Sequence, residues 1–131
     1  FNFAALVTAE NDFPTATHLP FIIEKRGEKI ILSAHMAKAN SHWKQLETKD
    51  ALVIFGEPHA YVSPLLYAEM PNVPTWNYVA VHAYGRAKIF AGEENLALLE
   101  KQVAAFDPKY FQTDWQEISE TYKTNLAKGV V

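Results

Sequence analysis

The stretch that most constrains the fold runs from Ala51 to Gly85 and carries two long strand patterns. The first is apolar, breaks at the Gly-Glu-Pro sequence of residues 56–58, and resumes over residues 59–62. Because proline has no N–H to offer to a β-ladder, this break predicts a bulge or an edge position. The second pattern, over residues 75–84, is rich in aromatic and β-branched residues, which favour strands. The stretch therefore predicts two strands joined by a proline-rich connection.

Polar side chains alternate with apolar ones along both of these strands, which is unusual for a plain core. Side chains in a strand point alternately to its two faces, so His59, Tyr61 and Ser63 share one face. Thr75 and Asn77 likewise share a face in the second strand, beside two large rings, Trp76 and Tyr78. We interpret these groups as the wall of a ligand site. The alternative is that both rings are ordinary core and His59 is a structural histidine.

The residues before this stretch predict three further strands. Phe3–Thr8 is apolar and β-favouring, and the turn sequence Glu10-Asn11-Asp12 predicts a hairpin to a second strand over Pro14–Glu24. A turn at 25–28 leads to a third strand over Lys29–Ser33. In the second strand, His18 precedes the Leu-Pro sequence and lies on the face opposite Thr17. From the residues alone, His18 is a hydrogen-bonded core histidine.

A helix is predicted over Ser41–Glu47, with Asn40 or Ser41 as its N-cap. Trp43 and Leu46 lie three residues apart, so both can face the core. A helix N-terminus offers free N–H groups and a positive dipole, and Lys38 adds a cation just before it. This junction predicts a phosphate site that uses Lys38, Asn40 and Ser41. The alternative is that Lys38 is a solvated surface lysine.

The C-terminal part predicts a longer strand and two helices. Arg86–Phe90 continues the preceding strand pattern, and Glu93–Phe106 is an amphipathic helix. The Asp-Pro pair at 107–108 provides a cap and a first-turn proline for a second helix, and the sequence Lys128-Gly129 ends it. The second helix has an apolar stripe, which we expect to be a packing surface: Phe111, Trp115, Ile118, Tyr122 and Leu126.

Composition and motifs exclude several classes of protein. The 131 residues include no cysteine, so disulfides, thiolate nucleophiles and zinc–thiolate sites are absent, which suits a reducing cytoplasm. A net charge of −3 gives no electrostatic footprint for DNA. The sequence contains no G-x-S-x-G, Walker, G-x-G-x-x-G or H-E-x-x-H motif. The five histidines match no metal-binding spacing, so we predict neither a metal site nor a catalytic residue.

Five short motifs resemble one family: THLPF, HMAKAN, HAYVSP, VPTWNY and VHAYG. In this order they are similar to the PaiB family of FMN-binding negative transcriptional regulators, which belongs to the flavin-binding split-barrel superfamily. The resemblance extends from about Phe3 to Val131. It implies an α+β fold, mainly β: an antiparallel split β-barrel of Greek-key type with flanking helices. We expect residues 1–131 to form a single domain that lacks N- and C-terminal flanks of the family.

The resemblance also implies an FMN site and a set of contacts. Thr17 and His18 lie on a strand that lines the isoalloxazine or phosphate region in flavin split barrels, and His35 adds a donor or lies against the ring. The same strand–loop–helix junction holds the FMN phosphate in related barrels. The complete set of predicted cofactor-binding residues is Thr17, His18, His35, Lys38, Asn40, Ser41, His59, Tyr61, Ser63, Trp76, Asn77 and Tyr78.

Three functions remain open at this point. The first is a cytoplasmic, homodimeric FMN-binding regulator that acts as a flavin-based sensor, with the flavin at the subunit interface. The second is a small FMN-dependent oxidoreductase or flavin reductase, in which the cofactor carries the chemistry. The third is a barrel that has lost flavin and acts as an interaction protein. Contact with DNA is left open for the first function, and no DNA-reading motif supports it.

Overall fold

The computed structural model describes residues 2–131, which form six strands and four α-helices. The strands are β1 (Phe3–Glu10), β2 (Phe13–Pro20), β3 (Ile22–Arg26), β4 (Lys29–Ser33), β5 (Asp50–Val62) and β6 (Thr75–Arg86). The α-helices are α1 (Glu93–Phe106), α2 (Pro108–Gln112), α3 (Asp114–Glu117) and α4 (Glu120–Lys128). Two 3₁₀ helices cover Ser41–Glu47 and Pro64–Leu66. The predicted α+β class is confirmed.

Two antiparallel sheets make up the β part. One has four strands in the order β2-β1-β5-β6, and the other pairs β3 with β4. Within residues 2–131 the two sheets are not joined into a closed barrel. The β1–β2 hairpin turns at Asn11 and Asp12, whose φ angles are 49° and 63°. Two consecutive positive φ angles match the right-handed twist of the flanking strands, and Asn and Asp tolerate them best after glycine.

The predicted strand over Pro14–Glu24 is in fact two strands, and Phe21 separates them. The ladder between β1 and β2 ends at the Phe3–Pro20 pair, after which the chain passes to the second sheet. The Phe21 side chain turns into the core, where it is buried and meets Phe55 edge-on with ring centroids 5.9 Å apart. The break therefore serves packing between the sheets.

The core lies between the inner face of the four-stranded sheet and the segments that cross it. Alternate residues of β1 and β5 are buried, as period-two strands require. Leu46 of the 3₁₀ helix is buried and Trp43 packs against the core, as predicted. The buried apolar residues of this cluster are Ala4, Leu6, Leu19, Phe21, Met36, Leu46, Ala51, Val53 and Phe55.

The bulge predicted at Pro58 is confirmed, because the β5–β6 register shifts between Gly56 and His59. Beyond the bulge the two strands and their connection project away from the core, and we call residues 56–80 the arm. The predicted strand extension to Phe90 is wrong: β6 ends at Arg86. Arg86 pairs with Asp50, the first residue of β5, so no partner strand continues beyond that point.

The helices partly follow the sequence pattern. The bounds of α1 are those predicted, but its buried residues are Asn95 and Gln102. Their amide nitrogens donate to the carbonyl oxygens of Val130 and Pro20, so these polar residues anchor the helix. In the described residues no helix is both long and apolar enough to cross a membrane.

The predicted second helix is three short helices, broken around Thr113 and Ser119. The Ser119 hydroxyl accepts from the N–H of Tyr122 and so starts a new helix. Because a new helix begins at Ser119, the residues of the predicted stripe do not share one buried face. Trp115 is buried, whereas Tyr122 and Leu126 are exposed.

Candidate functional site

A network of polar side chains joins β1, β2 and the 3₁₀ helix Ser41–Glu47. We call it the threonine–histidine network, and its members are Thr8, Thr15, Thr17, Asn40, His42 and Gln45. His42 is the largest fully buried side chain of the described residues. Its Nε2 atom lies 2.8 Å from the Thr8 hydroxyl, and its Nδ1 atom lies 2.8 Å from the Thr17 hydroxyl. Both strands therefore hold the helix through one imidazole.

The direction of each hydrogen bond in the network follows from its partners. The backbone N–H of His42 can only donate, so the Asn40 side-chain oxygen accepts it and the Asn40 amide nitrogen donates to Thr17. At the other end the Thr8 hydroxyl donates to Gln45, so Thr8 must accept from Nε2 of His42. A neutral imidazole then accepts at Nδ1, from the Thr17 hydroxyl. Every member is satisfied only with neutral His42 protonated at Nε2.

Burial lowers the pKa of His42 below its ordinary value, which agrees with this tautomer. Below the unfolded-state pKa, about 6.5, His42 binds a proton in the unfolded chain. In the folded chain the His42 ring stays neutral to a lower pH, because its pKa is lowered. Hence we expect the free energy of unfolding to fall as the pH drops below about 6.5. Urea titrations at pH 7.5 and 5.5 measure this. In His42→Gln that contribution should disappear; an unchanged pH slope in the variant would contradict the assignment.

The segment that leads into the 3₁₀ helix and includes its first residue, residues 37–41, is held by its backbone, and we call it the Lys38 loop. The Lys38 N–H donates to the Gly129 carbonyl at 2.8 Å, and the Lys38 carbonyl accepts from Trp43 Nε1 at 3.1 Å. The side chains of Lys38 and Ser41 are exposed. The loop thus presents an ammonium group and a hydroxyl to solvent from a fixed backbone.

The predicted phosphate site changes in one respect. Asn40 is the N-cap, as expected, but the helix is a seven-residue 3₁₀ helix, and the Asn40 side chain already takes the N–H of His42. A short helix with a satisfied N–H has little dipole or donor capacity left. Anion binding at this junction would therefore depend on the side chains of Lys38 and Ser41. Asn40 serves the network instead.

His35 lies at a second polar contact, between the loop and α1. Its Nδ1 atom contacts the side-chain oxygen of Gln102, whose amide nitrogen donates to the Pro20 carbonyl. Gln102 must therefore accept at its oxygen, so Nδ1 of His35 carries a proton. His35 also lines a groove of about 740 Å³ between the two sheets, and the rest of the predicted site residues do not.

The arm brings four of the predicted residues onto one face. His59 pairs with Tyr78 and Tyr61 pairs with Trp76, and residues directly opposite in an antiparallel pair share a face. The Trp76 ring lies 6.1 Å from the His59 ring and 5.7 Å from the Tyr61 ring. Tyr61, Trp76 and Tyr78 are 53%, 57% and 71% exposed. The arm is therefore an open aromatic surface, and its rings are not core.

Three predicted residues stand apart from this surface. Asn77 pairs with Ala60 on the other face of the arm. The Ser63 hydroxyl accepts from the N–H of Leu65 and caps the 3₁₀ helix Pro64–Leu66. His18 stacks on Phe3 on the sheet face opposite Thr17, with ring centroids 6.1 Å apart. Among residues 2–131, no hydrogen bond or ring contact joins the arm to the Lys38 loop.

Sequence reasoning missed the inner half of the network, which consists of Thr8, Thr15, His42 and Gln45. His42 was considered only as a possible metal ligand, although its two neighbours in space are threonines at alternate positions of strands. The signal was present in β1 and β2: Thr8, Thr15 and Thr17 all lie on the core face of their strands, where a hydroxyl requires a partner.

Comparison with known proteins defines the class. All 131 residues match the family described as "Putative FMN-binding domain", so the chain belongs to this family. It is 37% identical over 135 residues to "Protease synthase and sporulation protein PAI 2" of Bacillus subtilis, a match that covers 99% of this chain and 63% of that protein. The resemblance to the PaiB family is confirmed.

Two eukaryotic proteins described as uncharacterized are also similar. One, from Emericella nidulans, is 33% identical over 119 residues, covering 67% of this chain and 47% of that protein. The other, from Saccharomyces cerevisiae, is 34% identical over 86 residues, covering 61% of this chain and 51% of that protein. The chain spans about half to just under two thirds of the length of these three relatives.

The donor chemistry of the two surfaces suits the two ends of FMN. A phosphate requires a cation and hydrogen-bond donors, which the Lys38 loop presents in Lys38 and Ser41. A flat ring system requires aromatic or apolar contacts, which the arm presents in Tyr61, Trp76 and Tyr78. Among the described residues the arm and the Lys38 loop are separate surfaces, with no ring contact or hydrogen bond between them.

Proposed function

We propose that this chain is the FMN-binding part of a PaiB-like negative transcriptional regulator, in which the flavin acts as a sensor. The observation that carries the proposal is the family match over all 131 residues. The Bacillus subtilis relative is named for protease synthase and sporulation. This name supports a regulatory role for the present chain and not a metabolic one. When bound, FMN would supply a redox-active ring, and the protein would supply its binding and orientation.

The proposal includes a homodimer with a split-barrel arrangement, in which the arm of one copy covers the Lys38 loop of the other. The exposed rings of the arm support it, because a contiguous apolar surface of this kind marks an interaction site. Residues 1–131 would form one domain, and the protein would be cytoplasmic, as its relation to a bacterial regulator suggests. Direct contact with DNA is not part of the proposal, since the net charge is −3.

The test is the visible absorption spectrum of the purified protein before and after FMN addition and desalting. We expect a flavin band that persists through desalting, with a change in the spectrum on reduction. The absence of retained flavin would refute the FMN proposal. Rapid turnover of NAD(P)H by the flavin-loaded protein would refute the sensor role in favour of a flavin reductase.

Replacing Lys38 with alanine should weaken FMN binding about tenfold or more, because a charge-assisted contact to the phosphate is lost. The affinity for riboflavin, which has no phosphate, should stay at the wild-type value. Flavin fluorescence titrations measure both. Lys44→Ala is the matched control, because it removes the same charge from the neighbouring helix and should change neither affinity. Wild-type FMN affinity in Lys38→Ala would remove Lys38 from the site.

A further inference from the structure

The Lys38 loop is held at its two ends by different means. At its start, backbone hydrogen bonds hold Lys38 to Gly129 and to the Trp43 ring nitrogen. At its end, the attachment to β2 is a side-chain bond, from the Asn40 amide nitrogen to the Thr17 hydroxyl at 3.1 Å. The position of the Asn40–Ser41 end relative to the strand therefore depends on where the Thr17 hydroxyl is held.

The Thr17 hydroxyl has a fixed partner both as an acceptor and as a donor. It accepts from Asn40 and donates to Nδ1 of His42, which lies 2.8 Å away. His42 is in turn fully buried and fixed at Nε2 by Thr8 of β1. This partly buried chain of hydrogen bonds resists rotation, because turning any member leaves a donor or an acceptor without a partner. The oxygen that anchors the loop thus has one position.

We propose that Thr17 and His42 are positioning residues that set the geometry at which Lys38 and Ser41 meet the cofactor phosphate. The proposal rests on the proposed FMN-binding function. In this proposal neither residue contacts the cofactor, because the Thr17 hydroxyl accepts from Asn40 and donates to His42, and the His42 ring is enclosed. Their contribution is selectivity for the phosphorylated flavin, since the loop that they hold faces the phosphate and the arm faces the ring.

Thr17→Val tests the proposal, because valine keeps the shape and the strand preference of threonine and removes only the hydroxyl. The readout is the ratio of the dissociation constants for riboflavin and FMN, measured by fluorescence titration. We expect FMN affinity to fall roughly fivefold to twentyfold, with riboflavin affinity unchanged. Thr17→Ser retains the hydroxyl and should restore the wild-type ratio.

Thr15→Val is the matched control. Thr15 lies two residues away on the same strand and face, is half-buried like Thr17, and accepts only from Gln45 at the far end of the network. Its replacement should leave the ratio of the two affinities at the wild-type value. Any general loosening of the sheet would lower both affinities in both variants, which a merely structural role of Thr17 predicts.

Two results would overturn the inference while leaving the proposed function intact: Thr17→Val with the wild-type ratio, or Thr17→Val with FMN and riboflavin weakened equally. A wild-type protein that binds no FMN would overturn both proposals at once. The failures are distinguishable, because the proposed function fails in the wild-type titration and the positioning role fails only in the comparison of variants.

Discussion

Replacing Trp115 with alanine should lower the free energy of unfolding by about 3–5 kcal/mol, the largest stability effect that we expect from a single change in the helical region. Trp115 is 5% exposed, and its Nε1 atom donates to Glu100 of α1 at 3.3 Å. Its ring meets Tyr110 edge-on and lies 5.5 Å from the Lys123 ammonium. One side chain therefore joins α1, α2, α3 and α4. Urea denaturation followed by circular dichroism measures the loss.

Tyr122→Ala is the control, because Tyr122 belongs to the same stripe in the sequence but is 57% exposed. Its free energy of unfolding should stay within about 0.5 kcal/mol of wild type. Equal losses in the two variants would mean that the helices α2, α3 and α4 pack as the continuous helix that the sequence suggested. A small loss of unfolding free energy in Trp115→Ala would contradict the role of Trp115 in joining the four helices.

Mixing two defective variants should restore flavin binding, if the arm of one copy and the Lys38 loop of another form one site. Lys38→Ala keeps an intact arm, and Trp76→Ala keeps an intact loop. Each alone should retain little FMN. After random exchange of subunits, about one quarter of the wild-type sites should return, because half of the dimers are mixed and each has one intact site. Equilibrium dialysis of the mixture measures the stoichiometry.

The control for this experiment is Phe13→Ala mixed with Lys38→Ala. Phe13 is 74% exposed in the β1–β2 hairpin and lies outside the arm. Phe13→Ala should bind FMN normally by itself. The mixture should therefore bind as much FMN as its two components bind when measured separately. No recovery in the Lys38→Ala and Trp76→Ala mixture, with exchange verified by mass-tagged subunits, would place the arm and the loop of a site in the same copy.

Local chemistry explains which elements were predictable. The strand β4 and the helix α1 have the predicted bounds, and the bulge followed from Pro58 alone. The turn at Asn11 and Asp12 likewise needs only the preferences of those two residues. In each case the residues that decide the structure lie within the element or beside it, so no knowledge of the partner strand was required.

The errors share a different cause, which is that the deciding partner lies far away in the sequence. The end of β6 at Arg86 is set by the start of β5 at Asp50, thirty-six residues earlier. The passage between sheets at Phe21 is set by Phe55. In α1, the buried positions are polar because the Pro20 and Val130 carbonyls need donors. A single sequence does not reveal these partners.

The candidate site divides in the same way. Thr17 was predicted as a cofactor contact and Asn40 as a cap and a phosphate contact, and the structure joins the two residues by a hydrogen bond. The partner that makes them a unit, His42, could not be assigned, because a histidine in a polar helix start has no local sign of burial. The shared face of His59 and Trp76 depends on the register across the bulge, which only the structure supplies.

The two outer strands of the four-stranded sheet differ in whether a further strand can pair with them. β2 carries Pro14 and Pro20, which offer no N–H to an approaching strand, whereas β6 is twelve residues long and contains no proline. Strand addition to this sheet is therefore favoured at β6 alone. Two copies that paired through their β6 edges would leave no β6 edge of this sheet free for a third copy.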